Sequence, residues 1–139
     1  MEEWQTGIEQ LKAAYKAWHD TKGRSIDTWV ALFADEIDFR SLANGLHGIP
    51  WTRTRKNPAE IRDYLNGLTA TFGMDHFTVD RYVCDGDTIV AIGSSAWHHL
   101  VTGKKFDTPM VSVWRFKDGK AISFFEYYDT ATVAKAAAP

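Results

Sequence analysis

Few side chains in this sequence have both the type and the surroundings that move protons, and Glu126 stands first among them. It lies in the run Phe124-Phe125-Glu126-Tyr127-Tyr128. On an inward face it sits among aromatic rings. A carboxyl group taken out of water holds its proton more tightly, and its pKa climbs by up to roughly 3–5. Such a group serves as a general acid near neutral pH, or as a base once partnered. On an outward face Glu126 would instead meet solvent or a subunit interface and pair with a Lys or Arg. His99 is the natural proton partner, because histidine titrates near neutrality. The pair His98-His99 also invites a metal, yet neighbouring strand residues point to opposite faces and cannot share one ion. No His-x-x-x-His spacing accompanies them, so neither a metal nor another cofactor is expected. No Ser–His–Asp set, nucleophile elbow or glycine-rich phosphate loop is visible.

The background composition is that of a folded domain. Of 139 residues, 45% are hydrophobic and 24% charged, and this length suits one core. Six Trp within a 14% aromatic share imply a large core or a lined cavity, since each ring buries much area. The net charge of −2 and the scattered basic residues exclude a nucleic-acid footprint. The one basic run, Arg53-Thr54-Arg55-Lys56, reads as a solvated loop. Cys84 is the single cysteine, which excludes an internal disulfide and fits a reducing compartment. Met1-Glu2-Glu3-Trp4 does not read as a signal peptide, and no apolar run reaches membrane-spanning length. A cytoplasmic protein without a membrane partner is expected.

The elements that must position these side chains follow from periodicity. Trp4, Ile8, Leu11, Tyr15 and Trp18 form one helical stripe, and Gly23 ends that segment. Ser25 is placed to cap a second helix carrying Ile26, Trp29, Val30 and Phe33, which ends near Asp35. Asn57 and Pro58 open a third, with Ile61, Tyr64, Leu65, Leu68 and Phe72 on one face and Gly73 as its C-cap. Beyond Gly73 the period drops to two. Strands are predicted over His76 to Val83, Thr88 to Leu100, Phe106 to Phe116 and Ala121 to Tyr128, turned at Asp85-Gly86, Thr102-Gly103 and Asp118-Gly119. A brief strand, Glu36 to Ser41, precedes the third helix. The predicted fold is α+β: a cone-shaped, curved antiparallel sheet around N-terminal helices in a cystatin-like ααβαββββ order, with one apolar pocket. Residues 1–133 form the single domain, and 134–139 a short Ala-rich tail.

Four stretches in this order resemble the nuclear transport factor 2-like superfamily, in its SnoaL-like and ketosteroid isomerase branch. They are Tyr15-Lys16-Ala17-Trp18-His19-Asp20, Ala31-Leu32-Phe33-Ala34-Asp35-Glu36, Val113-Trp114-Arg115-Phe116-Lys117-Asp118-Gly119-Lys120 and Glu126-Tyr127-Tyr128-Asp129-Thr130. The resemblance implies a pocket in which a carboxylate takes a proton beside a carbonyl while a Tyr and a protonated Asp hold the enolate. The two acid positions fall on Ser41 and Ser112, so ordinary ketosteroid isomerase activity is not expected. The oxyanion Tyr matches Tyr15, and a supporting Tyr matches Tyr64. An Asp–Arg–Asp set like that of limonene epoxide hydrolases is not expected either, since Arg40 and Arg115 fall on outward parity.

Aligning the family's inward positions with strand parity turns Thr108, Met110, Ser112 and Trp114 into the cone, with Ser95, Trp97 and His99 on the preceding strand and Phe124, Glu126 and Tyr128 on the last. The implied walls are Trp97, Trp114, Phe124 and Tyr128, and the polar points are Glu126, His99, Tyr15, Tyr64, Ser41 and Ser112. The loop from Asn44 to Trp51 is either a lid or a loop packed on its own domain. Three readings follow. One is an isomerase-, cyclase- or lyase-like enzyme that moves a proton on an apolar, carbonyl-bearing, polyketide- or steroid-like compound, through Glu126, His99 and Tyr15. The second is a non-catalytic binder of an aromatic metabolite. The third is a homodimeric interaction module. Outward Val111, Val113 and Phe125 favour a homodimer under all three.

Overall fold

The computed structural model describes residues 3–139, with side chains from Gln5 onward. Met1, Glu2 and the side chain of Trp4, on which part of the N-terminal reading rests, lie outside the described residues. Helix α1 (Glu3–Asp20) and helix α2 (Ile26–Leu32) lead into strand β1 (Phe33–Ser41), and a 3-10 turn (Pro50–Thr52) precedes helix α3 (Pro58–Thr71). Strands β2 (Phe72–Asp85), β3 (Thr88–His99), β4 (Lys105–Lys117) and β5 (Lys120–Tyr128) follow, then helix α4 (Thr130–Ala137).

The stripe on α1 is buried at Leu11, Tyr15 and Trp18, and Gly23 ends the helix in the left-handed region at φ +84°. Asn57 caps α3 by accepting a hydrogen bond from the Glu60 amide at 2.9 Å. The Glu60 side chain accepts in return from the Lys56 amide at 2.8 Å, a reciprocal arrangement that satisfies donors the helix cannot.

The five strands form one sheet in the order β1-β5-β4-β3-β2. The last four pair antiparallel as predicted, but β1 lies parallel to β5, so the sheet is mixed and open. Parallel pairing is available because α3 and three strands separate the two in sequence. Two irregularities lie in β2, whose register slips between Met74 and His76 and again between Val79 and Arg81. Such bulges bend a strand. At the second one a Cβ on Gly93 would stand 1.8 Å from the Thr78 carbonyl oxygen. Only glycine lets the backbones come that close.

Several local expectations are corrected. Phe33 begins β1 rather than closing α2. Ser25 makes no capping hydrogen bond. Gly73 lies inside β2, not at a helix end, and leaves room for the His98 ring, which a Cβ would meet at 2.5 Å. Arg55 is only 3% exposed, and its guanidinium donates to the carbonyls of Arg53, Trp51 and Glu60. Solvation is therefore the wrong description for that part of the basic run. The Ala-rich segment is a helix rather than a tail. Asp129 caps α4 through the Thr132 amide, and Val133 and Ala136 are buried.

Candidate functional site

The concave face of the sheet closes over α1, α2 and α3 around a cavity of about 100 Å³. Its wall is built largely of rings: Trp18, Trp29, Trp51, Trp97, Trp114, Phe39, Phe72, Phe77, Phe124, Tyr15, Tyr64 and Tyr128 all reach it. The rings also pack on one another. Trp29 stacks on Trp114 with centroids 5.7 Å apart, and Phe39 stacks on Phe124 at 4.4 Å. A cavity of about 150 Å³ is known to hold benzene, so the space is of the order that one small ring fills.

Glu126 faces this chamber. Its strand partners are Ser112 on β4 and Ser41 on β1, the two positions where the resemblance places acids. Glu126 is half-buried and lines the cavity. Burial alone pushes its carboxyl up from 4.5 to about 7, with no hydrogen bond or ion pair among the described residues offsetting it. At neutral pH this acid is therefore poised between its two protonation states.

The remaining polar groups are already engaged. Tyr15 Oη and Ser112 Oγ lie 2.6 Å apart, and the Trp114 indole N–H donates to both, at 3.1 and 3.0 Å. Ser41 is hydrogen-bonded to the Tyr128 hydroxyl, which also accepts from the Ala43 amide at 3.3 Å. Ser95 accepts from the Trp97 indole at 3.0 Å. Burial, reinforced by the nearby Glu126 charge, pushes the Tyr15 and Tyr64 hydroxyls well above the usual phenol range. Burial likewise takes Tyr128 to about 12. These phenols stay protonated, so they can donate to an oxygen bearing negative charge but cannot act as bases.

Of the residues singled out from sequence, Glu126, Tyr15, Tyr64, Trp51, Trp97, Trp114, Phe124 and Tyr128 line the chamber. Ser41 and Ser112 are buried as hydrogen-bond partners of the wall tyrosines. Met110 is buried at 1% exposure but packs behind the wall. His99 is the clear departure. It stands on the expected face, but at the end of β3, and the cavity lining does not include it. Its Nδ1 accepts from the Val101 and Thr102 amides at 3.1 and 3.2 Å, and its ring meets Phe72 edge-on. It pins the β3–β4 turn instead of sharing a proton with Glu126. His98 faces the other way and pairs with Asp75. Among the described residues no cluster of three or more His, Cys, Asp or Glu could hold a metal.

Sequence reasoning missed Val133 of α4, Thr52 and Phe77, and it left Trp18 and Trp29 to the core, yet all five are in the wall. The Asp129 cap followed by Val133 and Ala136, three residues apart, was the available signal for α4. The Asn44–Trp51 loop is packed rather than open. Ile49 is buried, the chain is tied by successive turns from Ala43 to Thr52, and Trp51 lies so close to Gly67 that a Cβ there would meet it at 2.6 Å.

Residues 11–124 match the SnoaL-like domain. The chain belongs to this family. No curated protein matches the sequence. Among solved structures, a nuclear transport factor 2-like protein from Burkholderia thailandensis is 26% identical with a TM-score of 0.80, covering 100% of this chain and 99% of its own. One of unknown function from Burkholderia pseudomallei is 19% identical with a TM-score of 0.82, covering 96% and 98%. A protein of ketosteroid isomerase-like fold from Catenulispora acidiphila, solved in complex with trimethylamine, is 21% identical with a TM-score of 0.75, covering 94% of each chain. This SnoaL-like chain thus shares its cone with proteins of diverse or unassigned function, and function must be argued from the chamber.

Proposed function

We propose that this SnoaL-like protein is a small-molecule enzyme in which Glu126 moves a proton on an apolar, carbonyl-bearing compound held in the cone. The observation that carries the reading is the unpartnered Glu126 carboxyl on an apolar wall, with its pKa near 7. Ionised Glu126 takes a hydrogen from the carbon beside the carbonyl. That C–H bond breaks, an O–H bond forms on the carboxyl, and the electron pair moves onto the carbonyl oxygen. Tyr15 is the donor proposed to meet that oxygen, with Ser112 and Trp114 orienting it. Return of the proton to another carbon completes an isomerisation, and loss of a leaving group completes a lyase step.

The test is deuterium uptake into a single-ring ketone such as cyclohexanone, followed by mass spectrometry in heavy water. Exchange should rise as pH climbs through about 7, following ionisation of Glu126, and should vanish in Glu126→Gln. Undiminished exchange in that variant would remove the proposal.

A non-catalytic binder is the second reading, favoured by the engaged hydroxyls around the wall. Trimethylamine, bound by the Catenulispora protein, is of a size this chamber holds. Both readings include a homodimer through the outer sheet face. There Val90, Val113 and Phe125 lie in one row and Ile92, Val111 and Tyr127 in the next, an apolar block that association would cover. Among the described residues no helix is long and apolar enough to cross a membrane. The lone thiol, Cys84, suits a reducing compartment such as the cytoplasm.

A further inference from the structure

The chamber is selective for charge as well as for size. Its lining contains one ionisable acid, Glu126, and no Lys, Arg or His. The buried guanidinium of Arg55 is committed to three backbone carbonyls and is no counter-ion. The other groups facing the carboxyl are neutral hydroxyls: Tyr15 from α1, Tyr64 from α3, Tyr128 on its own strand, and Ser112 and Ser41 on the flanking strands. An ionised carboxylate in such a place lacks the pairing that buried charges require. The rest of the wall is indole, phenol and phenyl, whose faces attract cations and most strongly where water is excluded.

We propose that this cavity selects a compact alkylammonium ion, which pairs with Glu126 and fills the remaining space with methyl groups packed against the rings. The inference goes beyond the neutral carbonyl compound of the proposed function by giving the same cavity a second, cationic ligand class, and it rests on that cavity being a ligand chamber, not on proton transfer taking place there. The volume of about 100 Å³ matches roughly the size of a tetramethylammonium ion or one small ring. A neutral molecule of the same shape gains the packing but neither the ion pair nor the cation–ring attraction. Cation binding is also linked to the proton on Glu126. Only the ionised form pairs, so affinity follows its population, which for a group titrating near 7 changes about tenfold between pH 6 and pH 8.

Titration calorimetry with tetramethylammonium chloride and with tert-butanol, its neutral near-isostere, decides the matter. At pH 8 the full-length protein should bind the cation at least about tenfold more tightly than the alcohol. Lowering the pH to 6 should weaken the cation about tenfold and leave the alcohol within about twofold. Repeating the cation titration in buffers of different ionisation enthalpy should reveal proton release. Glu126→Gln should erase the preference while still binding the alcohol. A preference that survives the substitution, equal affinities at pH 8, or no binding of either probe would overturn the proposal. Because these experiments read binding alone, a failure here leaves the deuterium-exchange result standing, and the reverse holds too.

Discussion

Replacing Glu126 with Gln should stabilise the protein at alkaline pH and do much less in acid. The folded chain holds the Glu126 proton to about 7, whereas an unburied carboxyl releases it near 4.5. Between those values the native state binds more protons than the unfolded one, so stability falls as pH rises through the window and levels off above it. A group with those two affinities costs the native state about 0.8 kcal/mol at pH 5 and about 3.3 kcal/mol at pH 8. Glutamine keeps the shape without the charge, and every other titrating group is common to both proteins. The difference between variant and parent should therefore move in favour of the variant by about 2.5 kcal/mol from pH 5 to pH 8. For a chain of this length that corresponds to a relative gain in Tm of roughly 5–10 °C. Urea titrations of both proteins at the two pH values, followed by tryptophan fluorescence, give the number directly. A difference that does not change with pH would show Glu126 to have its ordinary acidity. Glu126 would then be an ordinary carboxylate at neutral pH, and neither proposed function would stand.

The deuterium-exchange and alkylammonium experiments stand beside this one as separate readings of the same side chain. Gly93→Ala should destabilise the fold by about 3 kcal/mol or more, because the new methyl collides with backbone that no rotamer can move; chemical denaturation measures it, and a cost under about 1 kcal/mol would contradict the bulge geometry. Phe125→Glu should convert the expected dimer to a monomer by light scattering, with the far-ultraviolet spectrum unchanged; a parent protein that already has the mass of one chain would end the dimer proposal.

Much of the fold was written locally. Asn57-Pro58 before an apolar stripe, and Asp-Gly or Thr-Gly between alternating runs, leave few other conformations open. What escaped depended on contacts distant in sequence. Gly73 reads as a helix terminator until the ring of His98 is seen beside it, and Arg55 reads as surface until three carbonyls surround it. In the site, two-residue parity anchored on the positions that the resemblance turns inward carried Glu126, Trp97 and Trp114 to the cavity face. Parity names a face but not a depth, which is why His99 and Met110, on the correct side, do not touch the chamber. The parallel placement of β1 beside β5 has no local signature at all, and it sets Ser41 next to Glu126.

Helix α4 carries a consequence of its own through Val133. That side chain and Glu126 line the same cavity, so the docked last helix of the chain supplies part of the apolar surface against which the carboxyl holds its proton.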